Sequence, residues 1–246
     1  MAADVGQLKV RSGRAVRVRG LVRGFGDRVV LDGIDLDIAA GEFVALLGRS
    51  GSGKSTLLRA LADLDHDVSG SGEASVPDNR AVVFQDSRLL PWARVLDNVT
   101  LGLSGAAERG RAMLAEVGLA GRERSWPNAL SGGEQQRAAL ARSLVREPEL
   151  LLADEPFGAL DALTRIRMHR LLRELCARHR PAVLLVTHDV DEAITLADRV
   201  LVLDRGTIAV NREIDLPAPR SHRDPGFIDH RDALLAALGV TEDNHG

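Results

Sequence analysis

Residues 43–61 constrain this chain more tightly than any other stretch. Phe43-Val44-Ala45-Leu46-Leu47 is a continuous apolar run, Gly48-Arg49-Ser50-Gly51-Ser52-Gly53-Lys54-Ser55 follows without a gap, and Leu57, Leu58 and Leu61 then recur at helical spacing. An apolar run without alternation predicts a strand buried on both faces. The glycines let backbone N–H groups close on phosphates, Lys54 adds a mobile positive charge, and Ser55 offers a hydroxyl to Mg²⁺. A helix opening at the loop points its positive N-terminal end at the same anion. Strand, loop and helix occur in the order a phosphate loop requires, although this motif alone does not say which nucleotide-using protein carries it.

The flanking pattern is strand-rich before the loop and alternating after it. Residues 15–21 and 29–38 read as antiparallel strands, and Leu64 extends the helical stripe after Ser55. Leu150 to Ala153 and Ala182 to Val186 are further apolar strands, the first ending in Asp154 and the second in Thr187-His188. Both deliver polar residues at a strand's C-terminal end, where open α/β sheets bind their ligands. From Gln85 to Pro148 the character changes: residues 96–103, 108–117 and 134–145 look helical between Gly, Ser and Pro breaks, which predicts a helical subdomain inserted at about 87–147. After about Leu216, Pro217, Pro219 and Pro225 predict an extended segment leading to a short helix at 232–238, peripheral to the chemistry. The expected division is a phosphate-loop domain over 15–215 and a C-terminal extension over 216–246.

Asp154 and Glu155 adjoin at a strand end, so the first can hold a metal's shell while the second polarises an attacking water. An isolated Asp-Glu-Pro would read as a capped turn before Pro156. Four preceding apolar residues and a phosphate loop upstream favour the catalytic reading. Gln85 follows Val82-Val83-Phe84 at another strand end, within reach of the metal or the water, where an ordinary loop glutamine is the alternative. His188 is a candidate contact for the γ-phosphate. Ser131-Gly132-Gly133-Glu134-Gln135 would make a capping box, and the same residues present an exposed helix N-terminus with glycines that permit close backbone approach. That second anion site lacks a lysine, and it makes sense if it serves another copy of the chain.

Composition narrows the remaining choices. No run approaches the roughly 18 consecutive apolar residues of a spanning helix, and the N-terminus, with Asp4 and no apolar core, does not read as a secretory signal. The 32 basic and 35 acidic side chains leave no strong footprint for nucleic acid. Only Lys9 and Lys54 are lysines, and Lys54 stands in the phosphate loop, where a compact point charge is wanted. The single cysteine, Cys176, sits beside a helical stripe with Leu172 and Leu175 and reads as core packing.

In their fixed order these motifs resemble the nucleotide-binding domains of ATP-binding cassette (ABC) transporters, from about Val16 to Arg212. The resemblance implies an α/β fold: a P-loop NTPase (RecA-like) core with an antiparallel β subdomain and an inserted helical signature subdomain. It implies an ATPase using Mg²⁺, with two copies packed head to tail around two ATP molecules. Residue by residue, it implies phosphate binding by Gly48, Arg49, Ser50, Gly51, Ser52, Gly53, Lys54, Ser55 and Thr56. Ser55, Gln85 and Asp154 fall on the metal side, and Glu155 on the catalytic base with Gln85 and His188 beside it. Ser131, Gly132, Gly133 and Gln135 match the signature, Asp161 the D-loop, and Phe25 the aromatic stacked on adenine, for which a core strand residue is the alternative.

Val83-Phe84-Gln85-Asp86, Leu89-Leu90-Pro91-Trp92 and Val95-Leu96-Asp97-Asn98-Val99 are similar to bacterial importers of nitrate, taurine and aliphatic sulfonates, and Ile214 to Arg220 resembles the sulfonate members most. This implies permease partners in the membrane, an external binding protein engaged indirectly, no nucleic-acid partner, and a peripheral place on the cytoplasmic face of the cell membrane. Asp63, where the family often carries glycine, and a short segment from Ser69 to Asn79 depart from the pattern. A DNA-repair relative would need a long coiled coil, a translation factor two cassettes, a GTPase an Asn-Lys-x-Asp motif, and a small-molecule kinase would leave the signature unexplained. Taurine or nitrate uptake and a non-import ABC ATPase remain alternatives.

Overall fold

The computed structural model describes residues 13–66 and 68–240; Asp4, Lys9 and the end of the extension beyond 240 lie outside them. Elements follow in the order β1 (Arg14–Phe25), β2 (Arg28–Ala39), β3 (Phe43–Gly48), α1 (Lys54–Ala62), β4 (Ser69–Ser75), β5 (Arg80–Val83), α2 (Val95–Val99), α3 (Ala107–Glu116), α4 (Gly132–Leu144), β6 (Leu150–Asp154), α5 (Ala162–His179), β7 (Ala182–Val186), α6 (Val190–Leu196), β8 (Arg199–Asp204), β9 (Thr207–Glu213) and α7 (Pro225–Ala237). A three-stranded antiparallel sheet runs β2-β1-β4, and a six-stranded sheet runs β5-β6-β7-β3-β8-β9, parallel except at β9.

Strand alternation explains how one sheet serves two cores. Phe43, Ala45 and Leu47 of β3, with Leu151, Ala153, Val183, Leu185, Val200 and Val202, face a core that the inserted helices, α5, α6 and α7 complete. Val44, Leu46, Leu150, Leu152, Leu184, Leu201 and Leu203 face the other core, closed by α1 and the antiparallel sheet. Each buried strand therefore carries apolar residues at consecutive positions, which is why its sequence shows no polar alternation.

In the strand order β5-β6-β7-β3, four consecutive C-terminal strand ends carry Phe84-Gln85, Asp154-Glu155, Thr187-His188 and the phosphate loop. The chain leaves β3 through α1 and re-enters the sheet on the far side at β5, so the loop sits where the winding changes direction. All these groups open on one rim.

Four local expectations need correction or completion. The helix expected over 96–103 ends at Val99, and the turn that follows carries Gly102 at φ 72°. Leu64 does not extend the helical stripe: α1 ends at Ala62, Asp63 adopts φ 59°, and Leu64 is exposed. Asp63 thus takes the left-handed conformation for which glycine is favoured at a helix end, and its carboxylate pairs with Arg80 at 3.3 Å. The segment from Ser69 forms β4, exposed throughout and held by antiparallel pairing to β1. The C-terminal helix runs over thirteen residues rather than only 232–238, because Pro225 occupies its first turn, where no N–H is needed. Phe227 and Leu234 from it are fully buried in the main core, so the extension is integral to the packing. Cys176 packs against that core, where burial pushes its thiol up to about 12.

Candidate functional site

The phosphate loop is shaped by its glycines. Gly51 and Gly53 take φ 78° and 107°, open to glycine and strained for other residues. A Cβ at Gly53 would lie 2.7 Å from a Leu31 methyl and 3.0 Å from the Val30 carbonyl, and one at Gly48 only 2.5 Å from the Leu203 carbonyl. The loop is therefore pressed against β2 and β8. No side chain caps α1, which leaves its first N–H groups for a ligand. Lys54 is buried, with Nζ donating to the Gly48 carbonyl at 2.7 Å and to Arg49 at 3.2 Å. Burial lowers its pKa, while the carboxylates of Glu155 and Asp154 act the other way. Ser52 Oγ is buried without a hydrogen-bond partner. An anion-shaped backbone with a cation aimed along it fits a nucleotide's phosphates.

Across the loop, Asp154 Oδ1 accepts from Ser55 Oγ at 3.5 Å. Burial, then the neighbouring Glu155 charge, raises the Asp154 pKa; Ser55, Arg59 and Lys54 oppose the shift. A hydroxyl and a carboxylate side by side, with the Gln85 amide on the adjacent strand end, form a partial set of hard oxygen donors. Such a set suits Mg²⁺, which takes its remaining ligands from phosphates and water. Glu155 stands at φ 45° with its N–H donating to the Val186 carbonyl at 2.9 Å. Its Oε2 lies 3.0 Å from His188 Nδ1. The strained turn thus points the Glu155 carboxylate sideways to the next strand end. Gln85 is exposed, and a Cβ on Gly158 would sit 3.4 Å from its amide nitrogen, so it stands beside the turn that follows Glu155.

Phe25 is 51% exposed, which excludes a core role. It lies at the end of β1, and its partner on β2, Arg28, stands two residues before Val30, whose carbonyl abuts Gly53. Arg49, Ser50 and Ser55 are exposed and Thr56 is half-buried.

The second anion-ready group is separate. Ser131 caps α4, its Oγ accepting from the Glu134 N–H at 3.3 Å while Glu134 Oε2 accepts from the Ser131 N–H at 2.9 Å. The Ser131 N–H, and the Ser131 hydroxyl donating to the same oxygen at 3.0 Å, hold the Glu134 carboxyl below the usual range. A Cβ at Gly132 would meet nothing within 4 Å, whereas one at Gly133 would meet the Thr164 methyl at 2.7 Å. Asp161 caps α5 by accepting from Thr164 N–H at 3.0 Å, so the residue matched to the D-loop and the glycine matched to the signature meet at Thr164.

Sequence reasoning missed the braces between these parts. Buried Gln136 donates to the Phe84 carbonyl at 3.0 Å, and Arg142 donates to the Arg88 and Ser87 carbonyls at 2.7 and 2.8 Å. Ser87 Oγ and Gln135 Oε1 lie 3.3 Å apart. One helix thus carries the signature at its N-terminus and grips the segment after Gln85 along its side. Polar Gln136 amid the buried alanines of α4 was the available signal.

The family model described as ABC transporter matches residues 31–158. The chain is 79% identical to the aliphatic sulfonates import ATP-binding protein SsuB 2 of Nocardia farcinica, over 92% of this chain and 95% of the relative. It is 75% identical to the protein of that name from Streptomyces avermitilis, over 93% and 92%. Among solved structures it is similar to cbiO1 from Clostridium perfringens, part of the ABC transporter complex cbiONQ, with a TM-score of 0.76 at 25% identity over 92% of this chain and 97% of that one. It is similar also to the dimeric post-hydrolysis ATP-binding cassette MJ0796 bound to ADP and Pi, with a TM-score of 0.71 at 30% identity over 82% and 100%.

Proposed function

The chain belongs to the ABC transporter family, and from that premise we propose that it is the ATPase subunit of a bacterial importer of aliphatic sulfonates. It binds ATP and hydrolyses it to ADP and phosphate. The observation that carries the site assignment is the convergence of Lys54, Ser55, Asp154, Glu155 and His188 on neighbouring strand ends, with Glu155 held 3.0 Å from His188. The sulfonate cargo is supported by relatives named for it at 79% and 75% identity.

The residues divide the work by their chemistry. Backbone N–H groups of residues 48–56 and the N-terminus of α1 cradle the phosphates. Lys54 exchanges its carbonyl partners for phosphate oxygens, a stronger, charge-assisted bond. Ser55, Asp154 and Gln85 would hold Mg²⁺, whose contribution when bound is to offset phosphate charge as the terminal bond breaks. Glu155 accepts a proton from the attacking water. His188 orients the Glu155 carboxylate through Nδ1 and reaches the γ-phosphate with its other edge. Phe25 stacks on adenine. Ser131, Gly132, Gly133 and Gln135, with Asp161, complete the nucleotide site of a second copy, so the working unit is a head-to-tail dimer.

Residues 15–215 form the ATP-binding unit, 87–147 its inserted subdomain, and 216–246 a C-terminal extension, whose helix α7 packs onto the unit through Phe227 and Leu234. Trp92, 73% exposed just after Gln85, anchors a membrane permease. No described helix is long and apolar enough to cross a membrane. In this reading the chain attaches peripherally through that permease, on the cytoplasmic face, with the binding protein engaged indirectly.

The test is genetic. Deleting the gene should abolish growth on an alkanesulfonate as sole sulfur source while growth on sulfate persists, and Lys54→Ala should fail to rescue it. A defect confined to taurine or nitrate as sole source reassigns the cargo; no defect in any medium removes the import reading.

A further inference from the structure

Resting on the ATPase reading above, we propose that Arg165 is a positioning residue that ties the D-loop to the switch histidine and holds His188 in register with Glu155. Arg165 lies on the first turns of α5, and its Nη2 donates to the carbonyl of Leu160, directly before Asp161, at 3.1 Å. Its Nη1 faces Asp189 Oδ2 at 3.7 Å. One guanidinium therefore spans the turn that leads from Glu155 and the loop that carries His188. Arg165, Glu155, Gly158, Thr187, His188 and Asp189 line a single small cavity.

The receiving end of this bridge is rigid. The Oδ1 atom of Asp189 caps α6 by accepting from the Glu192 N–H at 3.0 Å, and the Asp189 N–H donates to Thr187 Oγ1 at 3.0 Å. On the other side, the Thr187 N–H donates to Leu46 at the end of β3 at 3.2 Å. Behind α6's first turn, Glu192 Oε1 lies 2.6 Å from His169 Nε2, and Phe157 packs edge-on against that ring at 5.0 Å. His188 is thus an exposed side chain between two anchored neighbours, and Arg165 connects one of those anchors to the D-loop.

The bridge is only partly closed. Arg165 Nε is buried with no hydrogen-bond partner, and the Asp189 contact at 3.7 Å is long for a charged pair. A buried donor without a partner is uncommon enough to require a reason. A guanidinium with a spare donor can tighten on Asp189 when the D-loop moves, and the D-loop meets the second copy in the proposed dimer. A half-exposed ion pair of this geometry contributes little to folding, so stability and catalysis give different answers.

The full chain is assayed as parent, Arg165→Ala, Arg165→Lys, Asp189→Asn, Glu155→Gln, His188→Ala and the Arg165→Ala/His188→Ala double variant. We expect Arg165→Ala to lower kcat about tenfold with KM for ATP and the melting temperature unchanged. Arg165→Lys should recover part of the rate. Asp189→Asn keeps a capping oxygen on α6 and should show the same kcat loss as Arg165→Ala, which secures the test should the alanine variant fold poorly. The double variant should be no slower than His188→Ala alone, since the arginine acts through the histidine. Parental turnover in both Arg165→Ala and Asp189→Asn, or losses that multiply in the double variant, overturn the inference. Parental turnover in Glu155→Gln and His188→Ala instead overturns the ATPase site beneath it.

Discussion

The two anion-ready helix ends of this molecule are built differently. The N-terminus of α1 follows a loop with two left-handed glycines, has the buried Lys54 beside it, and faces Asp154, Glu155 and His188 across the rim. The N-terminus of α4 is exposed, carries a neutral capping serine whose partner is the carboxylate of Glu134, and has open space above Gly132. In the proposed function the first binds and cleaves the nucleotide; the second, a helix end without a cation, offers only modest anion affinity alone. A chain that builds one complete half-site and one bare one is organised for a partner that supplies the opposite half.

That contrast breaks most readily at the complete end. Glu155→Gln should lower kcat by about a thousandfold while ATP affinity is retained, because the proton acceptor is lost and the cradle is not. The variant should migrate as a dimer in size-exclusion chromatography with Mg-ATP and as a monomer without it. Lys54→Ala should weaken nucleotide binding by about tenfold to a hundredfold, the worth of one charge-assisted bond, read by fluorescent-nucleotide titration. Retained affinity would remove the cradle assignment.

The bare end gives a sharper comparison with smaller effects. Gly132→Ala meets no atom in the free chain, so its melting temperature should hold or rise slightly. ATP-dependent dimerisation and turnover should nonetheless fall by about tenfold if another copy's phosphates approach that backbone. Gly133→Ala is the control: Thr164 lies 2.7 Å from its Cβ, so it should also destabilise the monomer. Equal behaviour of the two alanines would collapse the distinction between the helix ends. The smallest effect in the isolated chain belongs to Trp92→Ala, whose basal hydrolysis and stability should match the parent within about 0.5 kcal/mol. Transport in cells should fall; if hydrolysis falls as well, Trp92 serves the fold and not the permease.

The complete end was largely legible in the sequence because its chemistry is contiguous. Strand, loop and helix of residues 43–61 follow without interruption, and Asp154-Glu155 and Thr187-His188 each close an apolar run. What was not legible depended on contacts across the chain. Gln136 and Arg142 show their purpose only once α4 lies beside the segment after Gln85. The strand β4 has no apolar period to read, since all its residues are exposed and backbone pairing to β1 holds it. Pro225 reads as a breaker but starts α7, and Phe227 looks like a tail residue until the main core closes over it. Asp63 looked like a departure from glycine and takes the backbone angle glycine would have taken.

One more consequence follows from the backbone at Glu155. A side chain other than glycine at φ 45° costs roughly 1–2 kcal/mol, and here that strain is what turns the carboxylate toward His188. Glu155→Gly should therefore melt above the parent in a calorimetric scan while losing turnover. Selection for heat tolerance alone would favour the change, and selection for growth on the cargo would reject it. At this codon, durability and work are opposed, and the residue found there records which of the two the cell has needed.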